Sequence, residues 1–156
     1  MNIYAYQRPL GPIADDEALR QQYITVYDVK THQQVVRFCR AYGHRLHKLI
    51  GYNFPYSSDI ADAYVGMEQW LAGEANYHAA RNASFWIGRQ ARYTTDRTVE
   101  RFLRTMAQLM ASPHVKYHGL WASDFAITLI NTMYPNDEAA VRNERIAQIQ
   151  LLKSIN

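Results

Sequence analysis

The chain has 156 residues, of which 48% are hydrophobic and 20% charged. That is enough to bury one core and too apolar for a disordered segment. Its 17 basic and 14 acidic side chains leave a net charge of +3, too small and too mixed to mark a nucleic-acid binder by itself.

One cysteine, Cys39, excludes an internal disulfide and a multi-cysteine zinc site, and its place in an apolar helical stripe reads as a small buried hydrophobe. The 12 tyrosines offer apolar rings with polar tips, suited to half-buried or interface positions. The opening MNIYAYQRPLGPIADDE lacks the basic start and apolar run of a secretion signal. No stretch approaches the roughly 18 to 20 apolar residues of a membrane span. The expectation is a soluble, cytoplasmic protein.

Residues 1–27 read as an N-terminal arm. Two β-leaning pieces, IYAY at 3–6 and YITVY at 23–27, flank a Pro/Gly turn region and the short helical stretch DDEALRQQ. From Asp28 to Asn156 the pattern is helical. In VVRFCRAYGHRLHKLIG, Val35, Cys39, Tyr42, Leu46 and Leu49 recur every three or four residues, and Gly51 ends the run. Ser57 or Ser58 opens the next helix, with Ile60, Tyr64, Met67 and Leu71 as its buried stripe and Gly73 as its stop.

The stretch EANYHAARNASFWIGRQARY is rich in small residues, and Ala79, Ala80, Ala83 and Ile87 would let a neighbouring helix approach closely. Thr94, Thr95 or Asp96 caps a helix with the clearest apolar series in the chain: Val99, Phe102, Leu103, Met106 and Met110. Ser112–Pro113 reads as the start of a helix running to about Tyr134, where Pro135 stops it. Asn136 or Asp137 caps the last, in which Ile146, Ile149 and Leu152 line up. The pattern predicts an all-α, single-domain bundle of about six helices with a short irregular or β-like arm.

Six histidines raise the question of a metal. His114 and His118 stand four apart, a spacing at which two imidazoles on a helix can share an ion, but Val115 occupies the place of a general-base Glu. A third ligand would come from another helix, His78 being one choice; the competing reading is histidines hydrogen-bonded at a helix entrance. A basic face formed by Arg37, Arg40, His44 and Lys48 is either solvated or a patch for an acidic partner or phosphate. Arg97, Arg101 and Arg104 form a second stripe, partly neutralised by Glu100. Trp70, Trp86 and Trp121 sit in helical patterns and read as core or core edge. No G-x-S-x-G, S-x-x-K or phosphate-cradling glycine loop occurs, and most carboxylates read as helix-start residues, so the enzyme signal is weak.

Three blocks carry a family resemblance. EQWLAGEANYHAARNASFWIGRQAR (68–92), MASPHVKYHGLWASDFAITLI (110–130) and AVRNERIAQIQLLKSI (140–155) resemble, in this order, the helical immunity protein five-like family of bacterial polymorphic-toxin systems. VVRFCRAYGHRLHKLIG fits the family's opening helix more loosely, and bulky Phe85, Trp86 and Tyr117 depart from its alanine-rich pattern. The resemblance implies a non-enzymatic protein that needs no cofactor and neutralises a cognate toxin domain by binding it. On that reading His114, Tyr117 and His118, with Arg37, Arg40 and His44, are the candidate partner-binding residues, and a second copy of the chain is a further partner the sequence admits. The alternative is a metal-binding helical protein or metal-dependent hydrolase using His114, His118 and His78. A nucleic-acid binder using the Arg37–Lys48 face is a weaker third.

Overall fold

A computed structural model describes residues 11–51 and 57–156, and these form seven α-helices and no strand. The helices are α1 (Glu17–Asp28), α2 (His32–Ile50), α3 (Ser57–Leu71), α4 (His78–Ala91), α5 (Arg97–Met110), α6 (Tyr117–Met133) and α7 (Glu138–Ser154). The all-α class read from the periodicity holds, with α1 added to the about six helices expected. The segment IYAY lies outside the described residues.

Helix α1 corrects the β-leaning reading of YITVY. Asp16 caps the helix, its carboxylate accepting the Leu19 N–H at 3.0 Å. Tyr23, Ile24 and Tyr27 then share one helical face and are buried. Burying a large apolar side chain contributes about 1.5–3 kcal/mol, more than the roughly 1 kcal/mol that separates strand propensities. Packing overrides local preference.

Helix α2 starts on a reciprocal capping box between Thr31 and Gln34 and ends at Gly51, whose φ of 93° few other residues tolerate. Val35, Cys39, Tyr42 and Leu46 are buried as their spacing predicts, whereas Leu49 stays on the surface. Helices α3 and α4 meet almost backbone to backbone: a Cβ on Gly66 would lie 3.0 Å from the Ala80 nitrogen. Of the small residues on α4, Ala80 makes that approach and Ala79 is exposed. Asp96 caps α5 by accepting from Thr98 and Val99, and Phe102, Leu103, Met106 and Met110 are buried as expected.

Two further expectations need correction. Helix α6 begins at Tyr117, not at Ser112–Pro113. The Ser112 and His114 amides close only single turns onto Leu109 and Ala111, and α1 and α2 hold the connection in that shape. His32 Nε2 donates to the Ser112 carbonyl at 2.7 Å, and the Tyr27 hydroxyl donates to that of Lys116 at 2.7 Å. In α7, Ile149 and Leu152 are buried but Ile146 is exposed, and the buried face is completed by Glu144, Arg145 and Gln148.

Consecutive helices from α3 to α7 pack against one another, α1 lies along α7, and α2 contacts α3, α5, α6 and α7. One apolar cluster runs from Tyr23 and Tyr27 through α2 and α5 to Leu152. A polar seam crosses it. Arg145 donates to Asp15 (3.0 and 2.5 Å), to Asp124 (2.7 Å), to Gln148 (3.0 Å) and to Ser123 (3.3 Å), while Arg20 donates to both Asp124 oxygens at 3.0 and 2.9 Å. Gln148 donates to the Ser123 carbonyl and to the Tyr42 hydroxyl, which donates to Glu144, and Arg45 grips Glu144 from the surface. Every charge in the seam is paired, which is what makes its burial tolerable.

Candidate functional site

A concave surface rich in positive charge lies between α4 and α5. The cleft has a volume of about 620 Å³ and contains no carboxylate among its lining residues. Its existence follows from composition: Gly88, Ala107 and Ala111 form a low floor, so the two helices leave a groove above them. Arg81, Arg89 and Arg92 descend one wall and Arg104 stands on the other. Glu100 takes the Arg104 guanidinium at 3.1 Å; among the described residues no carboxylate pairs with Arg81, Arg89 or Arg92.

The mouth of the cleft carries two of the histidines singled out from the sequence. His118, in the first turn of α6, uses Nδ1 to meet Gln108 Oε1 at 2.8 Å, so that nitrogen carries the proton and Nε2 is left as an acceptor. Burial first, then the neighbouring charges of His114 and Arg81, push its pKa down to about 4. His114 is lowered as well, by burial and by Arg81 and His78. Both rings therefore stay neutral at pH 7 and add hydrogen-bonding capacity without charge.

The other predicted site residues fall into two groups. His78, exposed at the start of α4, stacks on Tyr77 at 4.4 Å, and Tyr77 in turn lies 4.6 Å from His114. Thus His78, His114 and His118 occupy one neighbourhood, with a tyrosine between two of them. Among the described residues no three His, Cys, Asp or Glu side chains form a group able to hold a metal ion. Tyr117 is half-buried, 6.3 Å from Trp121.

On α2 the basic face is largely engaged within the protein. Arg37 donates to the Asn156 carbonyl at 2.9 Å, Arg40 pairs with Glu68 at 2.7 Å, and the His44 ring stacks on Tyr64 at 4.4 Å. The structure thus separates the two sets of candidate residues, the one on α2 and the one at the α6 entrance.

Residues that the sequence did not place among the partner-binding candidates complete the picture. Phe85, which lines the cleft, and Trp86 beside it are 56% and 45% exposed, so Trp86 stands on the surface and not at the core or core edge its pattern suggested. Arg81 sits over the Phe85 ring at 5.0 Å and Arg89 over Trp86 at 5.9 Å. The available signal was Phe85, Arg89 and Arg92 at four and seven residues, one helical face. As for nucleophilic chemistry, the Cys39 thiol is buried and burial pushes it up to about 12, which leaves it inert. Among the described residues no helix is long and apolar enough to cross a membrane.

Residues 25–155 match the family described as Imm-5 like putative immunity protein. No curated protein and no solved structure matches the chain.

Proposed function

Because the chain belongs to the Imm-5 like immunity protein family, we propose that it neutralises a cognate bacterial toxin by binding it, without catalysis, in the cytoplasm of the cell that makes both. The observation that carries this reading is the family match itself, which extends from α1 to the last turn of α7. The chemistry on the page supports it. The thiol is inert, and the buried carboxylates Asp124 and Glu144 are committed to arginines inside the fold.

A stable complex buries roughly 1,200–2,000 Å² and depends on a few aromatic or arginine anchors. The exposed side of α4 bordering the cleft, with the α6 entrance beside it, offers that combination in Phe85 and Trp86 together with Arg89. In this reading His114, Tyr117 and His118 lie at the edge of the recognition surface. Arg37, Arg40 and His44, already engaged by Asn156 and by Glu68 and Tyr64 of α3, contribute little.

The test is genetic. A secreted toxin encoded beside this gene is expressed inside a host, with and without this chain. Growth arrest by the toxin alone and recovery on co-expression, with the two proteins co-purifying, is the expected result. Arrest that this chain does not relieve overturns the proposal.

A further inference from the structure

We infer that the α4–α5 cleft is the seat for an acidic segment of the protein partner, whose carboxylates are taken by Arg81, Arg89 and Arg92. This rests on the protein-binding reading above and names the surface and the chemistry of what it binds.

Three independent features converge on the cleft. The first is unspent charge: Arg81, Arg89 and Arg92 line it without an ion pair among the described residues, and no lining residue is acidic. Guanidinium groups present paired N–H donors that match a carboxylate two bonds at a time. The second is shape. At about 620 Å³, floored by Gly88, Ala107 and Ala111, the groove has room for a few side chains of a docked segment. The third is apolar area beside the arginines, where exposed Phe85 and Trp86 lie under Arg81 and Arg89 at 5.0 and 5.9 Å. Arginine and tryptophan together are the commonest anchors of protein interfaces.

Charge complementarity selects an acidic protein surface over a nucleic-acid backbone. The cleft's arginines form a compact cluster rather than a track, Arg40 and Arg37 on the other basic face are engaged by Glu68 and Asn156, and the whole chain carries only +3. The neutral His114 and His118 at the mouth add donors and acceptors without widening the positive field.

The experiment uses the full chain and a fluorescent twelve-residue poly-L-glutamate peptide, followed by anisotropy at low and physiological salt. The variants are Arg89→Glu/Arg92→Glu and, as control, Arg37→Glu on α2. The cleft predicts that the double reversal lowers affinity by roughly tenfold or more, while the control stays within about twofold. Should the double reversal melt early, Arg89→Gln/Arg92→Gln carries the same expectation at smaller size. Equal losses in cleft and control variants, or no binding, overturn the inference. So does tighter binding of a single-stranded DNA oligonucleotide, or displacement of the peptide by millimolar inorganic phosphate, since either makes the cleft a phosphate site. A second arm repeats the toxin-rescue assay. Rescue that survives the double reversal removes the cleft from the interface and leaves neutralisation standing. A wild-type chain that rescues nothing removes neutralisation itself.

Discussion

Tyr42 on α2 and Glu144 on α7 share a hydrogen bond of 2.7 Å at one end of the buried polar seam. Its direction is settled by the surroundings. Burial first, and the Glu144 charge second, raise the tyrosine pKa well above its usual value, so the hydroxyl keeps its proton and donates. The same oxygen accepts from Gln148 at 2.9 Å. Tyr42→Phe removes one donor to Glu144 and the acceptor of the Gln148 amide at once. The expected cost is about 1–3 kcal/mol, because both groups are left short inside the core. Urea denaturation of the two proteins at pH 7 checks it; an unchanged midpoint would mean that water replaces the hydroxyl.

Arg145 is the hub of the seam. Burial alone would lower its pKa, but the bonds and charges of Asp15 and Asp124 raise it above the ordinary value, so it is charged throughout. Replacing it by Met leaves Asp15 and Asp124 facing an apolar side chain. Breaking a buried pair in this way costs about 3–5 kcal/mol. Adding Asp15→Asn to that variant should recover part of the loss. No recovery in the double variant would show that Asp15 is hydrated once released.

The two buried histidine environments set a pH dependence. Burial lowers His47, with His44 adding to the effect, and burial with His114 and Arg81 brings His118 to about 4. The unfolded chain takes up those protons near 6.5, before the folded one does. Their contribution is therefore complete above about 6.5 and is lost as pH falls toward about 4. His118→Asn, which keeps a donor toward Gln108, should flatten the stability profile within that window and leave it unchanged above pH 7. Denaturant melts at pH 7, 5.5 and 4.5 decide; parallel profiles for the two proteins would refute the assignment.

Glycines at two helix crossings should respond oppositely to alanine. At Gly119 an added Cβ would overlap the Val35 Cγ1 methyl and press on Cys39, so Gly119→Ala should cost about 1–3 kcal/mol. At Gly88 the nearest atom is the Ala107 methyl at 3.6 Å, an ordinary contact. There the helix-propensity gain of up to about 1 kcal/mol should prevail, and Gly88→Ala should melt higher than the parent. Calorimetry on both variants is sufficient, and a shift of the same sign in both would contradict the packing.

Much of this fold is legible in the sequence because apolar spacing and caps point the same way, as in α5, where Asp96 and the Phe102–Met110 series mark both start and face. The seam is missed, because Asp124 and Glu144 are mid-helix carboxylates and not the helix-start residues expected, although a rule beyond periodicity marks it. Asp124 stands four after Leu120 and three before Ile127, and Arg145 stands four from both Val141 and Ile149. A charge in an apolar register is a buried charge with a partner. The cleft is harder to read. Its arginines have ordinary surface spacing, and only the meeting of α4 with α5 shows that they share a concavity. YITVY misleads because its strand propensity is real locally and loses only to the core it packs against.

The carboxylate of Asp15 and the guanidinium of Arg20 reach Arg145 and Asp124 from ahead of residue 25, where the family match begins. Ala14 is clipped in the same place, its N–H and carbonyl both bonded to the Asn131 side chain at 3.0 and 2.9 Å. A fragment trimmed to start at Thr25 would thus take one countercharge from Arg145 and one from Asp124. The segment that looks most dispensable by family boundaries is the one that gives Arg145 and Asp124 their second partners.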